Sequence, residues 1–586
     1  MSSFRYQLFK LLLTAGALFV ISRLFYIQVA RNQYYRAMAE REHSTTTEIA
    51  NRRGPVFTSD NFPLVLDRPS YVLFAEPKKV IEKRKTAVLL AEVLSLPESS
   101  QSSQGSQGSR SIDPKALEAT LELDLDWVAL AKRLSLLTKA AINKLALPGI
   151  GFDEEYIRYY PEGVMASYVL GFSGFNDRGE QQGYYGLEGY YNGELRGRVG
   201  RVTEETAASG RPIVIGDYRW TSAQDGATLQ LTVSRGLQFL LETKMAEGVA
   251  RYGARSATAI LLDSGSGAVL GMASAPNYNP DNYGDVFKKS AETPEGSISD
   301  PIGFHNPAIA ETYEPGSVIK GLTMSAAIET ETVKPSTTFE DKGPVLVAGH
   351  SVNNWDGKHH GTQTMIELLQ KSNNIGAATV GQWLGTKVLR EYFLKFGLGA
   401  LTGIDLEGEA LGILKEEKDW GEIDLVTAAF GQGLSATPLQ VVNAYAAIAN
   451  GGSLLKPFIV SRISDKEGVH TLKSTKIRRV LSTETAVTMR EMLTAAAEGG
   501  EAKFAILKKY KVAGKTGTAQ IPVQGRYDAN RTNATFVGFL TNSPQYVLLV
   551  KITEPTTSVY AAETAAPLWM EVMRDLAVIE KIPPDR

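Results

Sequence analysis

Residues 8–29, LFKLLLTAGALFVISRLFYIQV, are apolar apart from Lys10, Arg23 and a few small or amide residues. As a helix this run rises about 33 Å at 1.5 Å per residue, roughly one bilayer core. Arg23 stands near its end, where a long side chain reaches the headgroup layer. No second apolar run of that length occurs. A cleaved signal peptide and a buried helix of a soluble domain are the competing readings. Against the first, no small-x-small cleavage site follows the run, and polar, helix-like sequence continues directly. Arg5 and Lys10 precede the span and Arg23, Arg31 and Arg36 follow it, so charge barely sets its orientation. The expectation is one uncleaved anchor, with everything after it on one side of a membrane.

The chain as a whole has the composition of folded protein, with 43% hydrophobic and 22% charged residues, and it is long enough for two or more domains. A net charge of −2 gives no reason to expect a nucleic-acid partner. With no cysteine, disulfides, cysteine-ligated metals and thiol catalysis are excluded together. The segment SSQSSQGSQGSRS, 99–111, has almost nothing to bury and is expected to be a loop. The Gly- and Tyr-rich stretch 183–200 is expected to form turns and short strands, and a domain boundary is placed near residue 225. Beyond it, SATAILLDSGSGAVLGMAS (256–274) and ATFVGFLTNSPQYVLLVKI (534–552) are two apolar β-type pairs joined by turn residues, each a hairpin. Segments 317–330, 364–384 and 437–450 between them are expected to be helical, and 565–581 is an amphipathic closing helix. Strands at both ends with helices between predict an α/β (α+β) domain, a mainly antiparallel sheet flanked by helices.

Within that domain YEPGSVIKGLTMS (313–325) places Ser317 and Lys320 three apart, on one face of a helix start. The neighbours on that face, Gly321 and Met324, are small or apolar. Burial there and the positive helix end both favour a neutral lysine, and a neutral lysine beside a hydroxyl can take its proton. A capping hydroxyl followed by a surface lysine fits the same spacing. Ser453 and Lys456 repeat it in NGGSLLKPFIV, but that stretch is a strand start, where positions three apart face opposite sides. Two further elements come after Ser317 in order. KSNN contains Ser372-Asn373-Asn374, and GKTGTAQ contains Lys515-Thr516-Gly517-Thr518 on a β-type stretch. Ser59-Asp60-Asn61 and Ser351-Val352-Asn353 also fit the middle pattern; the first precedes Ser317 and the second sits among loop-like residues. DGKHHG (356–361) puts Lys358 and His360 where a cation loop needs oxygen ligands, and is expected to be a solvated loop holding no metal.

Ser-x-x-Lys, Ser-x-Asn and Lys-Thr-Gly in that order mark penicillin-binding proteins and class A β-lactamases. Over nearly its whole length the sequence resembles the class B penicillin-binding proteins, monofunctional peptidoglycan D,D-transpeptidases. LFYIQV and RRGPVFTSDNFPLV resemble that family's membrane-proximal opening, although Phe62 stands where glycine is usual. YYPEGVMASYVLGF and GLEGYYNGELRGRVG resemble its pedestal, and YEPGSVIKGLT, FGQGLSATPLQ, GKTGTAQ and ETAAPLW its transpeptidase domain. The KSNN and GTQTMIELLQ segments are more similar to the division type than to the elongation type.

The resemblance implies a cytoplasmic tail at 1–7, an anchor at 8–29 and a dimerisation-type pedestal at 30–225. It implies a transpeptidase domain at 226–586, outside the cytoplasm at the cell membrane. It implies that Ser317 is the nucleophile and Lys320 its base, that Ser372 passes a proton to the leaving amine, and that Asn374 binds the substrate amide. Lys515 would add positive charge, and Thr516 and Thr518 would bind the terminal carboxylate. Gly517 would let the ligand approach, and the N–H groups of Ser317 and Thr518 would form the oxyanion hole. No cofactor is implied. The implied partners are peptidoglycan stem peptides, β-lactams as trapping ligands, and a polytopic membrane glycosyltransferase. A carboxypeptidase or β-lactamase-like hydrolase and a catalytically idle scaffold are the alternatives. The anchor, the pedestal and the lack of a Glu-x-x-Leu-Asn stand against the hydrolase, and the three intact motifs against the scaffold.

Overall fold

The computed structural model describes residues 2–96, 112–177, 179–206, 213, 218–284, 286, 303–502, 507–523 and 525–585. The segment 99–111, expected to be a loop, lies outside them. Two compact bodies are formed, one by 1–52 with 197–225 and the other by 53–196 with 226–586.

In the first body, helix Ser2–Phe25 runs on into a π-helical segment, Tyr26–Ala30. Residues 3–30 form a continuous helical stretch whose most apolar 18-residue window has a mean hydropathy of 1.8, long and apolar enough to cross a membrane. The expected span 8–29 falls within it. None of its most apolar stretch is buried by protein, whereas a helix of a soluble core would have a covered face. Helix Asn32–His43 comes next, as the polar sequence suggested. Strand Gly200–Glu205 is then flanked by Ser44–Ile49 and Tyr218–Thr221, both antiparallel to it.

The second body contains a long strand, Pro63–Ala75, paired with Val128–Leu134 and Ile150–Tyr159. Its sheet does not stop at the boundary placed near 225. Thr228–Leu231 pairs with Val56–Phe57 on one side and with Val460–Asp465 on the other. Close by is a buried ionic cluster. Glu188 accepts from Arg53 Nε and Arg158 Nε at 2.6 Å each, and Arg158 also reaches Asp67 at 2.9 Å. These side chains are almost fully out of water, so each charge depends on its partners. The stretch expected to be turns and short strands includes two short helices, Gly186–Tyr190 and Asn192–Leu195. Leu187, Tyr191 and Leu195 recur every four residues and are buried, a helical period that the glycine and tyrosine content concealed.

The C-terminal part of this body is organised by a five-stranded antiparallel sheet. Its strands are β1 (Ser256–Asp263), β2 (Val269–Ala275), β3 (Val512–Val523), β4 (Arg526–Leu540) and β5 (Ser543–Thr553), in spatial order β2-β1-β5-β4-β3. Both expected hairpins are present, as β1–β2 and β4–β5. Alternate side chains face opposite layers. Ala257, Ala259 and Leu261 of β1 with Leu548, Val550 and Ile552 of β5 face helices α1 (Arg235–Tyr252) and α7 (Ala565–Ile579). Trp569 of α7 seals that layer, its ring 4.9 Å from Phe536 and its Nε1 donating to the Leu548 carbonyl at 2.8 Å. Ile260, Leu262, Val547 and Leu549 face the other way, into the core that holds α2 (Ile319–Glu329), α3 (Met365–Gln370), α4 (Asn374–Lys395) and α5 (Pro438–Ala449). Helix α6 (Thr483–Gly499) lies against α2 and β3. The helical expectations hold with two refinements. The chain enters α2 through a 3-10 turn, Gly316–Val318, and 364–384 is broken at 371–373.

Candidate active site

Both refinements fall on motif residues. Gly316 has φ +60°, a left-handed conformation that favours glycine, and it turns the chain into the 3-10 segment that carries Ser317. The turn is held by Tyr445 of α5, whose hydroxyl donates to the Val318 carbonyl at 2.6 Å. One turn on, Lys320 is 1% exposed. Its Nζ donates to the Ser372 carbonyl at 2.5 Å and to Asn374 Oδ1 at 2.7 Å, with Ser372 Oγ at 3.3 Å. Burial, reinforced by the nearby charge of Lys515, holds the Lys320 amine well below the usual lysine range, and Glu501 offsets part of this. A neutral amine has two N–H donors and one lone pair. The Ser372 carbonyl and Asn374 occupy the donors, which leaves the lone pair for a hydroxyl proton. The Ser317 hydroxyl, half-buried, makes no hydrogen bond among the described residues. Such contacts in ligand-free enzymes commonly close only when substrate binds.

Ser372 lies in the break between α3 and α4 at φ +50°, a strained conformation for a residue other than glycine. The Thr364–Glu367 capping box starts α3, and Asn373 caps α4 by accepting from the Gly376 N–H at 2.8 Å. The two caps fix the ends of the break. Lys515 arrives from β3 and donates to Ser372 Oγ at 3.0 Å, so this hydroxyl lies between two lysines. Burial lowers Lys515 as well, with Glu501 opposing.

Strand β3 abuts the Ser317 turn at Gly517. A Cβ placed on Gly517 would lie 2.6 Å from the Pro315 carbonyl oxygen and 3.2 Å from the Val318 nitrogen. The Thr518 hydroxyl accepts from the Ala561 N–H at 3.0 Å and keeps its own proton to give. Thr516 is committed elsewhere, since its hydroxyl donates to Glu501 at 2.6 Å.

The structure therefore gathers Lys320, Ser372, Asn374, Lys515 and Thr516 into one connected cluster, with Ser317, Gly517 and Thr518 against its open side. Ser453 of the rejected pair begins a strand, Ser453–Leu455. Three participants escaped the sequence reading. Glu501 sits just beyond α6, 3.9 Å from Lys515. Asn353, in the Ser-x-Asn set aside as a loop, accepts from Asn374 Nδ2 through its carbonyl at 2.9 Å. Asn354, buried, accepts from the Asn374 N–H at 2.9 Å and donates to Asp341 at 2.8 Å. No motif spacing marks Glu501 or Asn354, and Asn353 takes part through its backbone carbonyl rather than through the amide of its Ser-x-Asn; the folding back of the 341–360 segment brings the last two in. Among the described residues no cluster of three or more acidic or histidine side chains is placed to hold a metal.

Comparison with known proteins agrees with this geometry. Residues 257–574 match the model of the penicillin-binding protein transpeptidase domain, and 48–231 that of the penicillin-binding protein dimerisation domain. Stage V sporulation protein D of Bacillus subtilis is 32% identical over 97% of this chain and 85% of its own. Peptidoglycan D,D-transpeptidase FtsI of Escherichia coli is 27% identical over 100% and 93%. Among solved structures, penicillin-binding protein 2X of Streptococcus thermophilus superimposes with a TM-score of 0.73 at 25% identity, covering 91% of this chain and 80% of that one. Penicillin-binding protein 3 of Mycobacterium tuberculosis, solved in complex with aztreonam, shares the fold at a TM-score of 0.67 and 24% identity, over 92% of this chain and 98% of that one.

Proposed function

From the premise that the chain belongs to the class B penicillin-binding proteins, we propose that it cross-links peptidoglycan stem peptides as a D,D-transpeptidase through an ester on Ser317. The observation that carries this reading is the buried, weakly basic Lys320, one helical turn from Ser317 and bonded to the Ser372–Asn374 break. Ser317 Oγ attacks the carbonyl between two D-alanines while its proton passes to the Lys320 lone pair. The oxygen that gains charge is met by the N–H groups of Ser317 and Thr518, fixed donors worth about 3 kcal/mol each in a dry site. As the C–N bond breaks, Ser372 gives a proton to the leaving amine and recovers one from Lys320, releasing D-alanine. Asn374 holds the substrate amide and Lys515 draws in the anionic end. The Thr518 hydroxyl, joined by Thr516 on its release from Glu501, binds the terminal carboxylate. An amine of a neighbouring stem peptide then attacks the ester, its proton leaves by the same route, and Ser317 is restored.

Residues 8–29 anchor the enzyme, with 1–7 in the cytoplasm and the catalytic domain outside. Residues 30–225 act as its pedestal and 226–586 as its transpeptidase domain. The work is done at division, beside a polytopic glycosyltransferase that supplies nascent glycan. A β-lactam mimics the D-alanine pair and is held as a slow ester. Intact-mass spectrometry with benzylpenicillin tests the assignment. Wild type should gain one penicilloyl group and keep it for minutes or longer, and Ser317→Ala should gain none at unchanged melting temperature. An adduct on Ser317→Ala would refute the nucleophile, and loss of the wild-type adduct within seconds would make the protein a hydrolase.

A further inference from the structure

Strand β3 is the outer strand of its sheet, so one edge is open to an added strand. On the transpeptidase reading, a donor whose D-alanine end lies at Ser317 and Thr518 extends antiparallel to that edge. At about 3.3 Å per residue it passes Ala519, Gln520 and Ile521 in turn. A cavity of about 950 Å³ opens at that end of β3, walled by Ile521, Pro522, Glu314, Ser435 and Lys551. That is ample for a peptide side chain.

Its walls present opposite charges. Glu314 is three residues before Ser317. Its Oε1 accepts from the Gly433 N–H at 2.9 Å and from the Tyr527 hydroxyl at 3.1 Å. Its Oε2 is buried and has no partner among the described residues, and the same holds for Ser435 Oγ. Burial pushes the Glu314 carboxyl up, so an arriving cation would be favoured. Lys551, 3% exposed, points from β5 over the Tyr313 ring at 4.9 Å, and among the described residues it pairs with the carboxylate of Glu311, at 3.3 Å on the exposed rim. Arg255 and Arg531, also in the wall, already share Glu554 at 3.1 and 2.7 Å. Glu314 is thus placed to take an ammonium and Lys551 a carboxylate.

We propose that this cavity is a subsite for the donor residue just before the D-alanine pair, and that it selects a side chain ending in both an ammonium and a carboxylate. The proposal rests on the transpeptidase reading and deepens it.

The test uses the full chain in detergent and synthetic X-D-Ala-D-Ala donors, with X a diamino dicarboxylic acid, lysine or norleucine. The rate of Ser317 acylation is read by mass spectrometry. Wild type should acylate at least tenfold faster with the diamino dicarboxylic donor than with the norleucine donor. Lys551→Met should cost about tenfold with the first donor and nothing with the lysine or norleucine donors. Glu314→Gln should cost about tenfold with the first two donors only. Acylation by benzylpenicillin, which has no such residue, should be unchanged in both variants and so reports that the fold and the nucleophile are intact. Equal rates for all donors in wild type, or equal losses for all donors in the variants, overturn the subsite. An effect confined to transfer after acylation overturns its assignment to the donor. Failure of benzylpenicillin to label wild type strikes the transpeptidase reading instead.

Discussion

Replacement of Gly517 by alanine tests whether β3 holds the nucleophile turn and the proposed oxyanion donors in register. Gly517 does not adopt a left-handed conformation, so the perturbation is purely one of space. The new Cβ would meet the Pro315 carbonyl oxygen at 2.6 Å and Val318 Cγ1 at 2.9 Å. Relief requires β3 and the 315–318 turn to part by about half an ångström, at a cost of about 1–3 kcal/mol typical of overpacking. That movement draws the Thr518 N–H away from Ser317. Misplacement by about 1 Å costs a reacting site around 100-fold, so acylation by a fluorescent penicillin should fall about 10- to 100-fold. The melting temperature should fall by only about 2–10 °C. Gly248→Ala is the control for strain, because its Cβ would press on Leu568 at 2.6 Å, between α1 and α7 and far in sequence from the motifs. It should lose stability and keep its acylation rate. If Gly517→Ala acylates within twofold of wild type while its melting temperature falls, β3 does not set the geometry of the site and the reasoning fails.

Glu501→Gln removes a negative charge 3.9 Å from Lys515. The Coulomb energy at that distance is about 4 kcal/mol at an effective dielectric near 20. Partial exposure of Glu501 cuts this to about 1–2 kcal/mol. Glu501 raises both Lys320 and Lys515. Its loss should therefore move both limbs of the acylation pH profile to lower pH, the acid limb set by a neutral Lys320 and the alkaline limb by a charged Lys515; limbs that stay in place would contradict this. Glu188→Gln should cost about 3–5 kcal/mol in denaturant unfolding, since it leaves Arg53 and Arg158 buried with less counter-charge. Burial raises the Glu188 carboxyl, but Arg158 and Arg53 outweigh it and hold it below the usual range. The wild type should therefore keep this contribution above about pH 4 and lose it on further acidification. A variant as stable as wild type at neutral pH would show that the cluster is not what holds this region.

The sequence alone determined the span, the two hairpins and the order of the three motifs. Each is written in local terms. An apolar run of bilayer length, a turn between two β-type runs and a Ser-x-x-Lys at a helix start depend on neighbours a few residues away. It could also tell Ser317–Lys320 from Ser453–Lys456, because a helix puts positions three apart on one face and a strand does not. Long-range closure was not legible. Nothing in KSNN announces that Ser372 would sit at positive φ with a lysine on either side, because those lysines come from positions 320 and 515. The helical period of 187–195 was hidden by its glycines until Glu188 was seen to neutralise Arg53 and Arg158, which are distant in sequence. Glu501 carries no motif and matters only because α6 ends beside β3. The basicity of Lys320 shows the division most plainly. The sequence placed a lysine one turn after a serine, but burial beside Ser372, Asn374 and Lys515 decided that its amine is short of water, and dehydration is what favours its neutral form.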